Sequence, residues 1–172
     1  HYIITLQCSP HHTKTALYPA INHLRRVIGV TGEDRPATQW QKLETFATTS
    51  GLHDPLTVTL LGDLLSIPGG DQRAPVMLSP DKRKELILEA LLHLLQSRAA
   101  RCPTLCIVED VHWIDPTSMD LLTRAIGAIQ RMPALLVITA RPDFNTTWSE
   151  SNPMMFLTLS RLSRRQSAEL LA

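Results

Sequence analysis

The sequence predicts an α/β fold built on a parallel sheet, and three observations predict it. Thr104-Leu-Cys-Ile-Val108 and Ala134-Leu-Leu-Val-Ile-Thr139 are continuous apolar runs, the pattern of strands buried on both faces. The segment between them, Pro116 to Arg131, reads as one crossover helix; strand, helix and strand in that order make a right-handed βαβ unit with parallel strands. A third run, Tyr2 to Cys8, is rich in β-branched and apolar residues and closes on Ser9-Pro10, as a short buried strand followed by a loop does.

Between the first strand and the second, the spacing predicts four helices. The first runs from about Thr15 to Ile28 and stops at Gly29. In the second, Pro36 to Thr49, the residues Trp40, Leu43, Phe46 and Ala47 recur at helical spacing before Gly51. Asp54-Pro55 opens a third that carries Leu60, Leu61, Leu64 and Leu65, and a Pro-Gly-rich loop from Pro68 to about Leu78 follows it. Ser79-Pro80-Asp81 caps the longest helix, which reaches about Ala100 with Leu88, Leu91, Leu92 and Leu95 on its inner side. A weaker strand is expected at Met155 to Leu159, and the start of one more helix at Arg165 to Ala172.

Composition narrows the class without naming a partner. A chain of 172 residues with 44% hydrophobic and 19% charged residues is long enough for one domain with a real core, which excludes overall disorder. Net charge +1 gives no global field for nucleic acid or a membrane surface. The three cysteines, Cys8, Cys102 and Cys106, are an odd number without CxxC spacing, which points to a reducing compartment and a cytoplasmic protein. No apolar run approaches the roughly 18 residues that cross a bilayer. The first residues lack a signal peptide's charged start and cleavage site. Without an initiator Met, opening in a strand and ending in a helical pattern, the sequence is expected to be an internal piece of a longer chain.

The chemistry gathers at two strand ends. Leu105-Cys-Ile-Val-Glu-Asp110 is an apolar run that ends in two adjacent carboxylates, and the carboxyl ends of parallel strands are where α/β proteins bind ligands. Neighbouring strand residues point to opposite faces, so Glu109 and Asp110 are expected to divide the work. One would hold a metal-bound water shell and the other would orient an attacking water. The alternative is a solvated strand end. Val137-Ile-Thr-Ala-Arg-Pro142 ends in a hydroxyl and a guanidinium. Arg141 has the planar fork that suits phosphate oxygens, and Thr139 can hydrogen-bond a water or its acidic neighbour. The alternative for Arg141 is a structural pair with a nearby acid.

Several strings together resemble a known family. They are Cys8-Ser-Pro-His-His12 with Ala16-Leu-Tyr-Pro19, Leu64-Leu-Ser-Ile-Pro68, Leu78-Ser-Pro80, Val108-Glu-Asp-Val-His-Trp-Ile-Asp-Pro-Thr-Ser118 and Thr139-Ala-Arg-Pro142. The sequence is similar to the signal-transducing ATPases of the AAA-related STAND group, and within it to the ATPase region of bacterial multidomain adenylate or guanylate cyclases. The resemblance implies a P-loop NTPase three-layer sandwich with a parallel sheet. It divides the chain into strand and loop (1–16), a helical insertion between the first two strands (17–101), Walker B and sensor strands (102–160) and the start of the following helix (161–172). It makes Glu109 the metal-associated acid, Asp110 the catalytic acid, and Thr139 to Arg141 the nucleotide sensor, with ATP and Mg2+ as ligands. The order Glu-Asp departs from the Asp-Asp or Asp-Glu of many relatives. Asp115 belongs to the family string, but before Pro116 it also reads as a plain helix cap.

A phosphate-binding loop needs G-x-x-x-x-G-K-[ST], because glycines let consecutive amides approach phosphates, and no stretch here satisfies it. Lys14-Thr15 follows a strand, but its approach, Cys8-Ser-Pro-His-His-Thr, has no glycine; Gly69-Gly70-Asp71 reads as a turn. The resemblance implies that the loop and the first strand precede residue 1, which leaves a central strand absent between the sensor strand and the last one. The function it implies is a regulatory ATP-binding domain of a signal-transduction protein. Its partners would be ATP and other domains of the same chain, among them a cyclase and helical-repeat modules. The alternatives are a non-catalytic signalling scaffold and the ATPase domain of a DNA-binding regulator. His11-His12 with Cys8 and Cys102-x-x-x-Cys106 lack a second ligand pair at zinc spacing. No hydrolase elbow and no aromatic-basic interleaving for single strands are present. Lys82, Arg83 and Lys84 read as a solvated helix face.

Overall fold

The computed structural model describes residues 1–69, 77–144, 148 and 154–159. Contacts divide the chain into two units, His1–Arg141 and Pro142–Ala172, and every helix and strand below belongs to the first. In order they are β1 (Tyr2–Gln7), α1 (Tyr18–Ile28), α2 (Pro36–Ser50), α3 (Pro55–Leu64), α4 (Pro80–Arg101), β2 (Thr104–Glu109), α5 (Pro116–Ile129) and β3 (Ala134–Ile138). Short 3-10 turns at Pro10–His12 and Val111–Trp113 follow β1 and β2.

The sheet has three strands in the order β1-β2-β3, all parallel. The protein is therefore mixed α/β, with four helices in the first crossover and one in the second. The register aligns Ile4, Cys106 and Leu136 in one row and Leu6, Val108 and Ile138 in the next. Because side chains alternate along a strand, these rows form one face, and helices α1, α4 and α5 lie over it. The opposite face carries Ile3, Leu135 and Val137, which remain 49, 63 and 39% exposed. Parallel sheets are ordinarily covered on both sides, so this face is unusual for its strand type.

Turn chemistry sets the helix limits. Asp54 accepts hydrogen bonds from the amides of Leu56 and Thr57, and Ser79 from that of Lys82, which satisfies donors that a helix start leaves free. Gly29 and Gly51 end α1 and α2 at φ of 73° and 82°, where a side chain would be strained. The first helix begins three residues later than its spacing predicts. Pro19 has no amide hydrogen and fits only the first turn of a helix, so α1 starts at Tyr18, behind a left-handed Leu17 with φ 59°.

The largest fully buried side chains include Leu43, Leu60, Leu61, Leu65 and Leu88, so the main core sits among α2, α3 and α4. Trp40 packs its ring directly on Gly62, where an added Cβ would collide with it, and its indole nitrogen donates to the Pro68 carbonyl at 2.8 Å. All three cysteines are free. No helix among the described residues is long and apolar enough to cross a membrane.

The expected strand at Met155 to Leu159 is absent from the sheet. An apolar stretch becomes a strand only where another backbone meets its hydrogen bonds, and here Met155, Phe156, Leu157 and Leu159 are 65 to 91% exposed. Most of the expected Pro68–Leu78 loop, including Gly70-Asp71, and the helix expected from Arg165 lie outside the described residues.

Candidate functional site

Because the strands are parallel, the carboxyl ends of β1, β2 and β3 meet at one edge of the sheet. Glu109 is the last residue of β2, and its carbonyl accepts the Cys8 amide at 3.0 Å. Asp110 has already left the strand, with φ 57° and ψ 41° in the left-handed region. The expectation that the two acids point to opposite faces by strand alternation is thus corrected: alternation stops at Glu109, and a backbone turn aims Asp110. A left-handed conformation costs a non-glycine residue roughly 1–2 kcal/mol, and several bonds hold it. The Asp110 amide donates to Thr139 Oγ1 at 3.0 Å. Next to it, the Val111 amide donates to the Thr139 carbonyl and the Thr139 amide to the Val108 carbonyl, both at 3.0 Å. Trp113 donates its amide to the Asp110 carbonyl at 2.9 Å, closing the 3-10 turn.

The structure therefore brings Glu109, Asp110 and Thr139 together at one edge. Thr139 reaches its acidic neighbour through the backbone amide, which leaves the carboxylate free of that hydroxyl. Arg141 is exposed and makes no ion pair among the described residues. Its guanidinium carbon lies instead 5.3 Å from the ring centroid of Trp113, within the range of a cation–π contact. The His112 ring tilts against Trp113 with centroids 5.1 Å apart, and His112 Nδ1 is buried without a hydrogen-bond partner.

Asp115 caps α5 as its position before Pro116 predicts, with Oδ1 accepting from the amides of Thr117 at 3.0 Å and Ser118 at 2.9 Å. It does more than a cap: the same oxygen accepts the Leu17 amide at 3.2 Å. That bond ties the loop after β1 to the start of α5 and holds Leu17 in its left-handed turn. Only Leu17's sequence distance from Asp115 hid this link. The carboxylate is 3% exposed, and Oδ2 has no partner. Burial, and then the negative charges of Asp115 and Asp110, push the neighbouring Cys8 thiol up to about 11. Lys14 and Thr15 lie in the turns before Leu17, where His12 stacks on Tyr18 at 3.6 Å between ring centroids.

The donor set can be tested against magnesium. Mg2+ takes one or two carboxylates, several waters and substrate phosphates in preference to an all-protein cage. Glu109 and Asp110 supply two half-buried carboxylates, and neither joins an ion pair among the described residues. Among the described residues no group of three or more His, Cys, Asp or Glu side chains could hold a metal by itself. The edge thus fits a metal shared with a phosphate.

Fold and site together define a mixed α/β protein whose acids, hydroxyl and guanidinium stand at the carboxyl ends of parallel strands. No family model matches the chain, and no solved structure matches it. It is 34% identical over 153 residues to an uncharacterized protein of Rhizobium meliloti (strain 1021), an alignment that covers 88% of this chain and 14% of that protein. The chain thus spans about one seventh of the length of the curated relative it matches.

Proposed function

We propose that the chain is part of a P-loop NTPase domain that binds ATP with magnesium and serves as a regulatory switch in a longer cytoplasmic signalling protein, attached to an adenylate or guanylate cyclase. The observation that carries the reading is the stitching of two strand ends, in which Thr139 Oγ1 accepts the Asp110 amide at 3.0 Å and fixes the acid-bearing turn to the segment that leads from β3 to Arg141. Glu109 and Asp110 would hold the water shell of the metal, and Asp110 would orient the attacking water. Bound magnesium supplies charge neutralisation on the phosphates. Arg141, 5.3 Å from the Trp113 ring centroid, would be the residue to reach a γ-phosphate, so a bound nucleotide would select between two positions of one cation.

The sheet face and the β3 edge that no element covers among the described residues support the three-layer part of the proposal. An upstream strand with its glycine-rich loop would pair with that edge, and a further helical layer would cover Ile3, Leu135 and Val137. Met155–Leu159 would acquire a strand partner only in the longer chain.

The Glu-Asp order favours a second reading, a signalling scaffold that binds neighbouring domains and hydrolyses nothing. ATP turnover by the longer protein, wild type against Asp110→Asn, separates the two. The switch reading expects turnover that falls at least about a hundredfold in the variant; the scaffold reading expects none in either.

A further inference from the structure

Between the helix-covered face of the sheet and α1, α4 and α5 lies a pocket of about 130 Å3 that is partly open to solvent. Protein interiors leave few voids larger than a water molecule, and an apolar cavity of about 150 Å3 stays dry and takes up benzene. Its wall is apolar and assembled from the sheet and all three helices, with Leu6, Leu24, Leu91, Cys106 and Leu122 among its residues. The fold as a whole therefore sets its shape.

One wall residue is out of keeping with a dry packing gap. Ser118 is 6% exposed, and its hydroxyl has no hydrogen-bond partner. Its amide is already committed to Asp115. Buried hydroxyls are nearly always satisfied, and leaving one unpaired costs about 1–3 kcal/mol. A serine side chain has three staggered positions, and turning among them offers its oxygen to a guest. Among the described residues no carboxylate lines the wall. Burial, and then Arg26, push the His23 imidazole below its ordinary value and so favour its neutral form. The Arg98 guanidinium is engaged 4.2 Å over the Tyr2 ring. With Arg98 already engaged and no other cation lining it among the described residues, the apolar wall penalises a charged guest.

We infer that this cavity is a binding site for a small uncharged molecule with a compact apolar body, about the size of one six-membered ring, and a single hydroxyl or carbonyl group that pairs with Ser118. The site is separate from the strand edge that carries Glu109 and Asp110, and it requires no nucleotide.

Phenol and benzene are the probes, titrated into the protein while amide shifts are followed by NMR. Both are expected to give saturable shifts centred on Leu24, Leu91 and Ser118. Ser118→Ala is expected to weaken phenol about 3- to 10-fold, the worth of one neutral hydrogen bond, and to leave benzene unchanged. Filling the space with Cys106→Leu, or with the milder Ala125→Val should that variant unfold, is expected to abolish both while cooperative melting persists. Absence of saturable binding for both probes, or binding undiminished by filling, overturns the site. Phenol affinity that is unchanged in Ser118→Ala overturns the ligand class.

Discussion

Asp115 is 3% exposed, and a single oxygen of its carboxylate receives three backbone amides, two from its own helix and one from Leu17. Removing it strands all three donors, so Asp115→Ala should destabilise the protein by about 2–3 kcal/mol. Asp115→Asn keeps an acceptor in the same place and should cost less than half as much. Denaturant unfolding of the two variants measures this, and equal losses would show that charge rather than the hydrogen bonds matters. The cysteines give a second test. Burial holds the Cys8 and Cys106 thiols at about 11, from an ordinary 9.0, with Asp115 and Asp110 adding to the effect at Cys8. Near pH 8 each is thiolate about a hundredfold less often than an ordinary cysteine. Half-exposed Cys102 should therefore react with iodoacetamide well before the other two, as mass spectrometry of the native protein can read. None of this is visible in the sequence beyond the capping role of Asp115, because Leu17 and Cys8 approach it only through the fold.

Among the elements, the apolar runs of β2 and β3 and the Pro-opened helices were legible, because their determinants are local: continuous hydrophobicity, caps and glycine stops. Positions that depend on a distant partner were not. Asp110 looks like strand in the sequence but turns into the left-handed region because Thr139, just past β3, and Val108 on β2 complete the bonding around it. Trp113 was part of a recognisable string, yet only the fold puts it beneath Arg141. The packing of α2 on α3 turns on Gly62, where any side chain would collide with Trp40. Gly62→Ala should cost about 3 kcal/mol as the indole is forced out, which a denaturant midpoint will record. Helices α4 and α5 are joined by Arg124, whose two terminal nitrogens bind Glu85 at 2.6 and 2.9 Å while Nε binds Asp120 at 2.9 Å. The hydrogen bonds from Arg124 hold the Glu85 carboxyl below its ordinary 4.5, and those from Lys84 and Arg124 hold Asp120 below its ordinary 3.8. Lowered folded values contribute stability that is complete above the ordinary range and lost as the pH falls through them. The stability gap between wild type and Arg124→Met should thus be widest near neutrality and close below pH 4, as unfolding curves across that range will test.

For the molecule as a whole, elements among the described residues cover one face of the sheet only. Leu135 and Val137 on the other face, with a β3 edge that has no strand partner among the described residues, are features a lone parallel sheet does not tolerate well. The α/β class and the gathering of Glu109, Asp110, Thr139 and Arg141 at one edge follow from the order of apolar runs and polar tips. The fate of Met155–Leu159 does not, since a strand requires a neighbour that local sequence cannot supply. On the proposed reading, an upstream strand and loop would complete the sheet and supply a phosphate site. Calorimetric titration of magnesium–ATP into the longer protein, wild type against Arg141→Ala and Asp110→Ala, tests this directly. The account predicts binding that requires magnesium, weakened about tenfold or more by Arg141→Ala, with turnover lost in Asp110→Ala; no binding by the wild-type protein would contradict it.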